Sequence, residues 1–354
     1  MRVFFNAIIV QVVLSAYIYW RGWQALPDKK YIKIPYAAIF IGELTVYFIG
    51  FFTSGSGLLP FDALHDLAWV GTTWMIFAIY MTALLLVYDV FKYADGKRKF
   101  LPQKIDLKAK KNRLIYFCSA LVVVIGVMIH GNYKFYHPVV TEMDLKIEKH
   151  SPNIKNLRIV FAADIHAGYL IDKSIISMYV DKIMEQKPDI ILLAGDIIDY
   201  DAKSLYEQRM ETEFLRLKAP YGVYATTGNH EYIDIGEPKD EKILWLSKYA
   251  GMTVLRDTTI LIADSFYLVG REDDLAENRK QLPEIMQGIN KELPIIVMNH
   301  EPHRLYEQTD EGVDIALYGH THNGQFFPNN VGMTVGSKIY NMGIIPENKK
   351  LRFM

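Results

Sequence analysis

The chain has 354 residues, room for two or three domains, and 51% of them are hydrophobic, which is high for a protein wholly in water. Its formal charge of −1 excludes nucleic-acid binding by bulk charge. A single cysteine, Cys118, excludes an intrachain disulfide and a cysteine-based zinc site.

The hydrophobic excess sits in residues 1–131. Residues 3–20 are apolar apart from Asn6, Gln11 and Ser15, and residues 34–52 carry one acid, Glu43. Residues 67–88 and 114–131 contain no Asp, Glu, Lys or Arg. Each run approaches the ~20 residues that a helix needs to cross the hydrocarbon core. Trp20, Trp23, Trp69, Tyr88, Tyr116 and Tyr133 lie near the run ends, as interfacial aromatics do. The pattern predicts four transmembrane helices. The first run does not read as a cleaved signal peptide, because its charged head is only Met1-Arg2 and no small-residue cleavage site follows.

Loop charge sets the expected orientation. The first loop holds Arg21, Lys29, Lys30 and Lys33, and the second, about residues 53–66, holds no Lys or Arg. The third holds Lys92, Lys97, Arg98, Lys99, Lys104, Lys108, Lys110, Lys111 and Arg113. Basic loops stay in the cytoplasm, so both termini, and the domain after the spans, are expected outside it. The chain reads as a multi-pass protein of the plasma or inner membrane. Glu43 within a span is a functional candidate by rule. Pairing with Asn6, Gln11 or a threonine inside the bundle is the reading favoured here.

A linker is expected over residues 132–155 and an α/β domain over 156–354. Residues 157–163, 190–194, 222–227, 261–270, 294–298 and 313–318 read as strands; 173–187, 203–217 and 240–249 read as helices. Five short motifs follow β-rich runs in this domain. They are Asp164-Ile165-His166, Gly195-Asp196-Ile197-Ile198-Asp199, Gly228-Asn229-His230-Glu231, Asn299-His300-Glu301 and Gly319-His320-Thr321-His322. Sites in open α/β sheets form just past the carboxyl ends of strands.

Each motif alone is common in loops, turns or helix caps. Together they supply oxygen and nitrogen donors for two cations and one spare histidine. Two-metal phosphate hydrolysis places cations about 3.5–4 Å apart and needs a bridging ligand and a proton donor. Asp164 and His166, two residues apart, can turn toward one cation. Asp196 is the natural bridge, Asn229 offers an amide oxygen, and His300, His320 and His322 offer imidazoles. This sulfur-free set suits Mn, Fe, Zn or Co. His230, left without a metal, reads as the general acid or transition-state stabiliser, with Asp199 orienting its ring. Glycines before Asp196, Asn229 and His320 permit tight turns and close approach. Arg271, Lys338 and Arg352 are further candidates for phosphate contact, and His137, His150 and His303 read as structural.

The motif set, over roughly residues 155–343, resembles the calcineurin-like metallophosphoesterase superfamily. Spans followed by this domain resemble its membrane-anchored branch, the transmembrane proteins with a metallophosphoesterase domain. Gly319–Gln325 is similar to the bacterial membrane-associated members. The resemblance implies a two-sheet α/β/β/α sandwich. By position it implies one metal on Asp164, His166, Asp196 and His322, and a second on Asp196, Asn229, His300 and His320. His230, paired with Asp199, would be the catalytic histidine. Relatives usually continue past an arginine like Arg352 into a last strand, whereas this sequence stops at Met354.

The leading functional expectation is a membrane-anchored phosphoesterase acting on a phosphodiester or pyrophosphate bond, with the bilayer as partner and a lipid-linked substrate. Some relatives cleave a UDP-linked diacylglucosamine; that substrate is cytoplasmic, and the expected orientation argues against it. A non-catalytic membrane sensor would have lost ligands or His230. Only Glu43 supports transport, and no internal repeat is evident.

Overall fold

A computed structural model describes residues 2–53, 58–102, 106–233, 240–303, 305–327 and 352–353. The chain divides into two units, Met1–Val139 and Val140–Met354.

The first unit is helical: α1 (Arg2–Ala25), α2 (Lys30–Thr53), α3 (Phe61–Arg98) and α4 (Lys110–Phe135). Among the described residues, Lys30–Gly50, Phe61–Arg98 and Lys110–Phe135 are long and apolar enough to cross a membrane. Four spans were expected, and α1 is not among these three. The first expected span, residues 3–20, lies partly outside the described side chains, which begin at residue 8. The unit's core gathers Ile18 of α1, Phe40 of α2, Met81 and Leu85 of α3, and Phe117 and Val124 of α4. Glu43 is buried with Gln11 and Ser15. Gln11 Nε2 donates to its Oε1, Ser15 Oγ lies 3.5 Å from its Oε2, and Trp74 Nε1 donates to Ser15 Oγ at 3.0 Å. Pairing within the bundle therefore holds for Gln11; Asn6 lies outside the described side chains.

The second unit is a two-sheet sandwich. One sheet is parallel, in the order β1 (Ile159–Ala162), β2 (Ile190–Ala194), β3 (Val223–Thr226), β4 (Thr253–Val254). The other runs β5 (Thr258–Ile262), β6 (Phe266–Gly270), β7 (Ile295–Met298), β8 (Ile315–Leu317), β9 (Arg352–Phe353), with only the β5–β6 pair antiparallel. Period-two alternation assigns the faces. Ile190, Leu192 and Ala194 of β2 meet Ile296 and Met298 of β7 between the sheets. Ile191 and Leu193 face outward, where Ile176 and Val180 of α5 (Lys173–Glu185) cover them with Leu205 and Trp245. On the far side Val269, Ile295 and Val297 pack under Leu282 and Met286. Helix, sheet, sheet and helix are thus the four layers.

Local chemistry explains the differences from the expected elements. Residues 261–270, one expected strand, form a hairpin, because Ala263 and Asp264 both take positive φ, 49° and 52°. The expected helix over 203–217 breaks at Arg209, φ 53°, into Lys203–Gln208 and Glu211–Phe214. The expected helix over 240–249 becomes one α turn, Glu241–Leu244, and a π turn, Trp245–Tyr249. Within the stretch expected as linker, α4 runs on to Phe135, while Leu145, Ile147 and Ile154 pack onto the inter-sheet core.

Candidate metal centre

The parallel strands deliver the motifs to one edge. Asp164 follows β1, Gly195 and Asp196 follow β2, and Gly228 to His230 follow β3. Asn299 and His300 follow β7, and Gly319 and His320 follow β8.

The side chains converge as two sets that share Asp196. In the first, His166 Nε2 is 3.2 Å from His322 Nε2, His322 Nε2 is 3.4 Å from Asp164 Oδ1, and His166 Nε2 is 3.8 Å from Asp196 Oδ2. In the second, His300 Nε2 lies 3.1 Å from Asp196 Oδ2 and 3.2 Å from Asn229 Oδ1. His320 Nδ1 lies 2.9 Å from Asn229 Oδ1 and 3.3 Å from His300 Nε2. All seven candidate ligands come together.

The donor set fits cations. His300 Nδ1 is 2.9 Å from the Ala194 carbonyl, a contact it makes as donor, so the neutral ring turns the Nε2 lone pair toward a carboxylate oxygen and an amide oxygen. Acceptor faces acceptor, and positive charge reconciles them. Burial opposes a charged ring, but the hydrogen bond and charge of Asp196 prevail and lift His300 to about 9. Burial would also raise Asp196, yet His300 holds it below the usual carboxylate range.

His230 Nδ1 is 3.0 Å from Asp199 Oδ1, close enough for an ion pair though its N–H is not aligned for a hydrogen bond. Asp199 Oδ1 also lies 3.6 Å from His166 Nδ1. Burial would raise Asp199, but contacts with His166 and His230 hold it down. The rings of His166 and His230 meet edge to face, 4.5 Å apart.

The backbone is bent to make this cluster. Asp164, His166, Asp196, His320 and His322 all take left-handed φ, between 47° and 69°, where each non-glycine residue costs roughly 1–3 kcal/mol unless its surroundings impose it. Gly195 turns at φ 77°. Gly228 is extended instead; a Cβ there would come within 2.3 Å of Asp196 Oδ1.

Two residues without a role in the sequence reading hold these loops. Glu231 is buried, and its carboxylate accepts from the backbone N–H of Asp196, Ile197, Ile198 and Gly228 at 2.7–3.0 Å. An acid three residues after a helix N-cap is the signal that could have found it. Lys242, also buried, donates to the carbonyls of Asp199, Tyr200, His230 and Ile233; nothing local in sequence marks it.

His303 sits outside the two sets, 2.9 Å from Glu301 and 3.2 Å from Asp274. Arg271 is 1% exposed and bonds to Asp257 and the Lys280 carbonyl, so it serves the core. Lys338 and the Arg352 side chain lie outside the described residues.

The calcineurin-like phosphoesterase family model matches residues 157–324. An uncharacterised metallophosphoesterase of Aquifex aeolicus is 30% identical over 199 residues, 52% of this chain and 72% of that protein. Phosphodiesterase YaeI of Escherichia coli is 35% identical over 176 residues, 49% of this chain and 63% of that one. The transmembrane protein with metallophosphoesterase domain of Danio rerio is 27% identical over 225 residues, 59% of this chain and 50% of that one. The chain spans between half and two-thirds of the length of the first curated relatives it matches.

Proposed function

The chain belongs to the calcineurin-like metallophosphoesterase family, and from that premise we propose that it is a membrane-anchored, two-metal hydrolase of phosphodiester or pyrophosphate bonds. The observation that carries this reading is Asp196 Oδ2, set between two groups of converging acceptors. Asp164, His166, Asp196 and His322 would hold one divalent cation, and Asp196, Asn229, His300 and His320 the other. When bound, such a pair neutralises phosphoryl oxygens and activates a water.

The chain's own groups do the rest. Glu231 fixes the loop of Asp196, and Asp196 Oδ1 accepts from the backbone N–H of His230 at 2.8 Å, so Asp196 and the acid share one support. Asp199 Oδ1 lies 3.0 Å from His230 Nδ1 and steadies that side of the ring by charge, so Nε2 is the atom that gives its proton to the leaving oxygen.

The apolar helices and the transmembrane relative support a bilayer anchor, and an anchored enzyme would meet lipid-linked phosphates. The basic first and third loops support an extracytoplasmic domain. A reporter fused at residue 140 tests that; a cytoplasmic signal would favour the nucleotide-linked lipid substrate instead.

The deciding assay is hydrolysis of bis-p-nitrophenyl phosphate by the full-length protein with Mn²⁺. Turnover should vanish with chelator. Asp196→Asn should lower it by on the order of 10³-fold or more, since a lost bridge is worth several kcal/mol. No turnover by folded, metal-loaded protein would move the reading to a non-catalytic sensor.

A further inference from the structure

The helical unit carries a cavity of about 300 Å³ whose lining includes Arg21, Lys92, Lys97, Lys108, Asp89 and Tyr93. It lies where α1 ends, α3 ends and the chain approaches α4. Four bases face one acid. Asp89 is already engaged: Tyr17 Oη donates to its Oδ2 at 2.7 Å, Arg21 pairs with the same oxygen, and Lys92 Nζ lies 3.8 Å from Oδ1. Among the described residues Lys97 and Lys108 make no ion pair, and Arg21 Nε is buried without a hydrogen-bond partner. The cavity therefore holds uncompensated positive charge with donors to spare.

Its surroundings choose the anion. Arg21 lies over the Trp20 ring, 4.4 Å from the centroid, an aromatic–cation pair typical of the headgroup layer. Leu86, Val90 and Tyr93 of α3, exposed at 50%, 64% and 69%, recur with Lys97 at i, i+4, i+7 and i+11 and so run as one stripe to the cavity. A free phosphate has no use for that apolar track, whereas a lipid lays its acyl chains along it and its phosphate among the bases. Basic pockets between spanning helices bind anionic headgroups for this reason.

We propose that Arg21, Lys92, Lys97 and Lys108 form a binding site for the phosphate of an anionic membrane lipid, separate from the metal centre. The site anchors a lipid and takes no part in hydrolysis.

Native mass spectrometry of full-length, delipidated protein in neutral detergent tests it, with phosphatidylglycerol, phosphatidylcholine or inorganic phosphate added. Wild type should retain phosphatidylglycerol at roughly tenfold lower concentration than phosphatidylcholine, and inorganic phosphate should not displace it. The triple variant Lys92→Gln, Lys97→Gln, Lys108→Gln should lose that preference and keep wild-type hydrolysis of the soluble ester. Equal retention of both lipids by wild type, or an unchanged preference in the variant, would overturn the proposal. Displacement by inorganic phosphate would assign the site to a soluble anion and overturn the lipid. Should the triple variant not fold, the exposed single changes Lys97→Gln and Lys108→Gln and the wild-type lipid comparison still decide.

Discussion

Both units bury carboxylates, and their neighbours differ in kind. In the helical unit Glu43 receives Gln11 and Ser15, so donors meet an acceptor and the group is satisfied by the fold itself. In the α/β unit Asp196 Oδ2 faces imidazole nitrogens whose company is another carboxylate and an amide oxygen. That arrangement is incomplete without added positive charge. Glu231 shows that burial alone does not make the difference: it lies beside Asp196 yet is met by four backbone donors, as Glu43 is met by side chains. A carboxylate ringed by donors holds structure together; one ringed by acceptors is where chemistry is to be sought.

Four perturbations separate carboxylates met by donors from the one met by acceptors. The largest effect is expected at His230, outside both acceptor sets. His230→Gln should lower kcat by about 10²–10⁴-fold while bound metal, read by mass spectrometry of the elements, stays unchanged; loss of metal would make His230 a ligand. Next is Glu231→Gln, which sets an amide among backbone N–H groups. It should cost about 1–3 kcal/mol in urea unfolding, and an unchanged midpoint would remove Glu231 from the support of the Asp196 loop.

The third point is pH. His300, lifted to about 9 by Asp196 against its burial, stands above the roughly 6.5 of an unfolded histidine. Its contribution to the metal-free protein is complete below about pH 6.5 and is lost as pH rises through about 9. Chelated protein should therefore melt at lower temperature at pH 9 than at pH 6.5, and divalent metal should erase the difference. A flat profile would mean that His300 carries no extra proton. The smallest effect is expected for Glu43→Gln, whose neighbours can bond an amide as well. Hydrolysis of a soluble ester should stay within about twofold, because an isosteric amide keeps the hydrogen bond from Gln11; a collapse would make Glu43 functional.

Much of the centre was legible because its donors are rare residue types at fixed offsets after β-rich runs. Asp164, His166, Asp196, Asn229, His300, His320 and His322 could all be named, and the structure brings them together. What holds them was less legible. Left-handed φ at five of them is imposed by tertiary contacts that leave no mark in composition. Lys242 reaches carbonyls from residue 199 to 233, a link that spacing does not reveal. In the fold, unbroken alternation across residues 261–270 hid a hairpin whose turn lacks glycine. Of the four expected spans, the second, third and fourth fall on helices long and apolar enough to cross a membrane, and the first lies partly outside the described residues.

Lys242 also couples two loops of the centre. A single ammonium ties the carbonyls of Asp199 and His230 together. The proposed acid and the residue that steadies it are thereby yoked, and a shift of either loop carries its companion along. Proton delivery would keep its internal alignment through movements that pull the two cation sets apart.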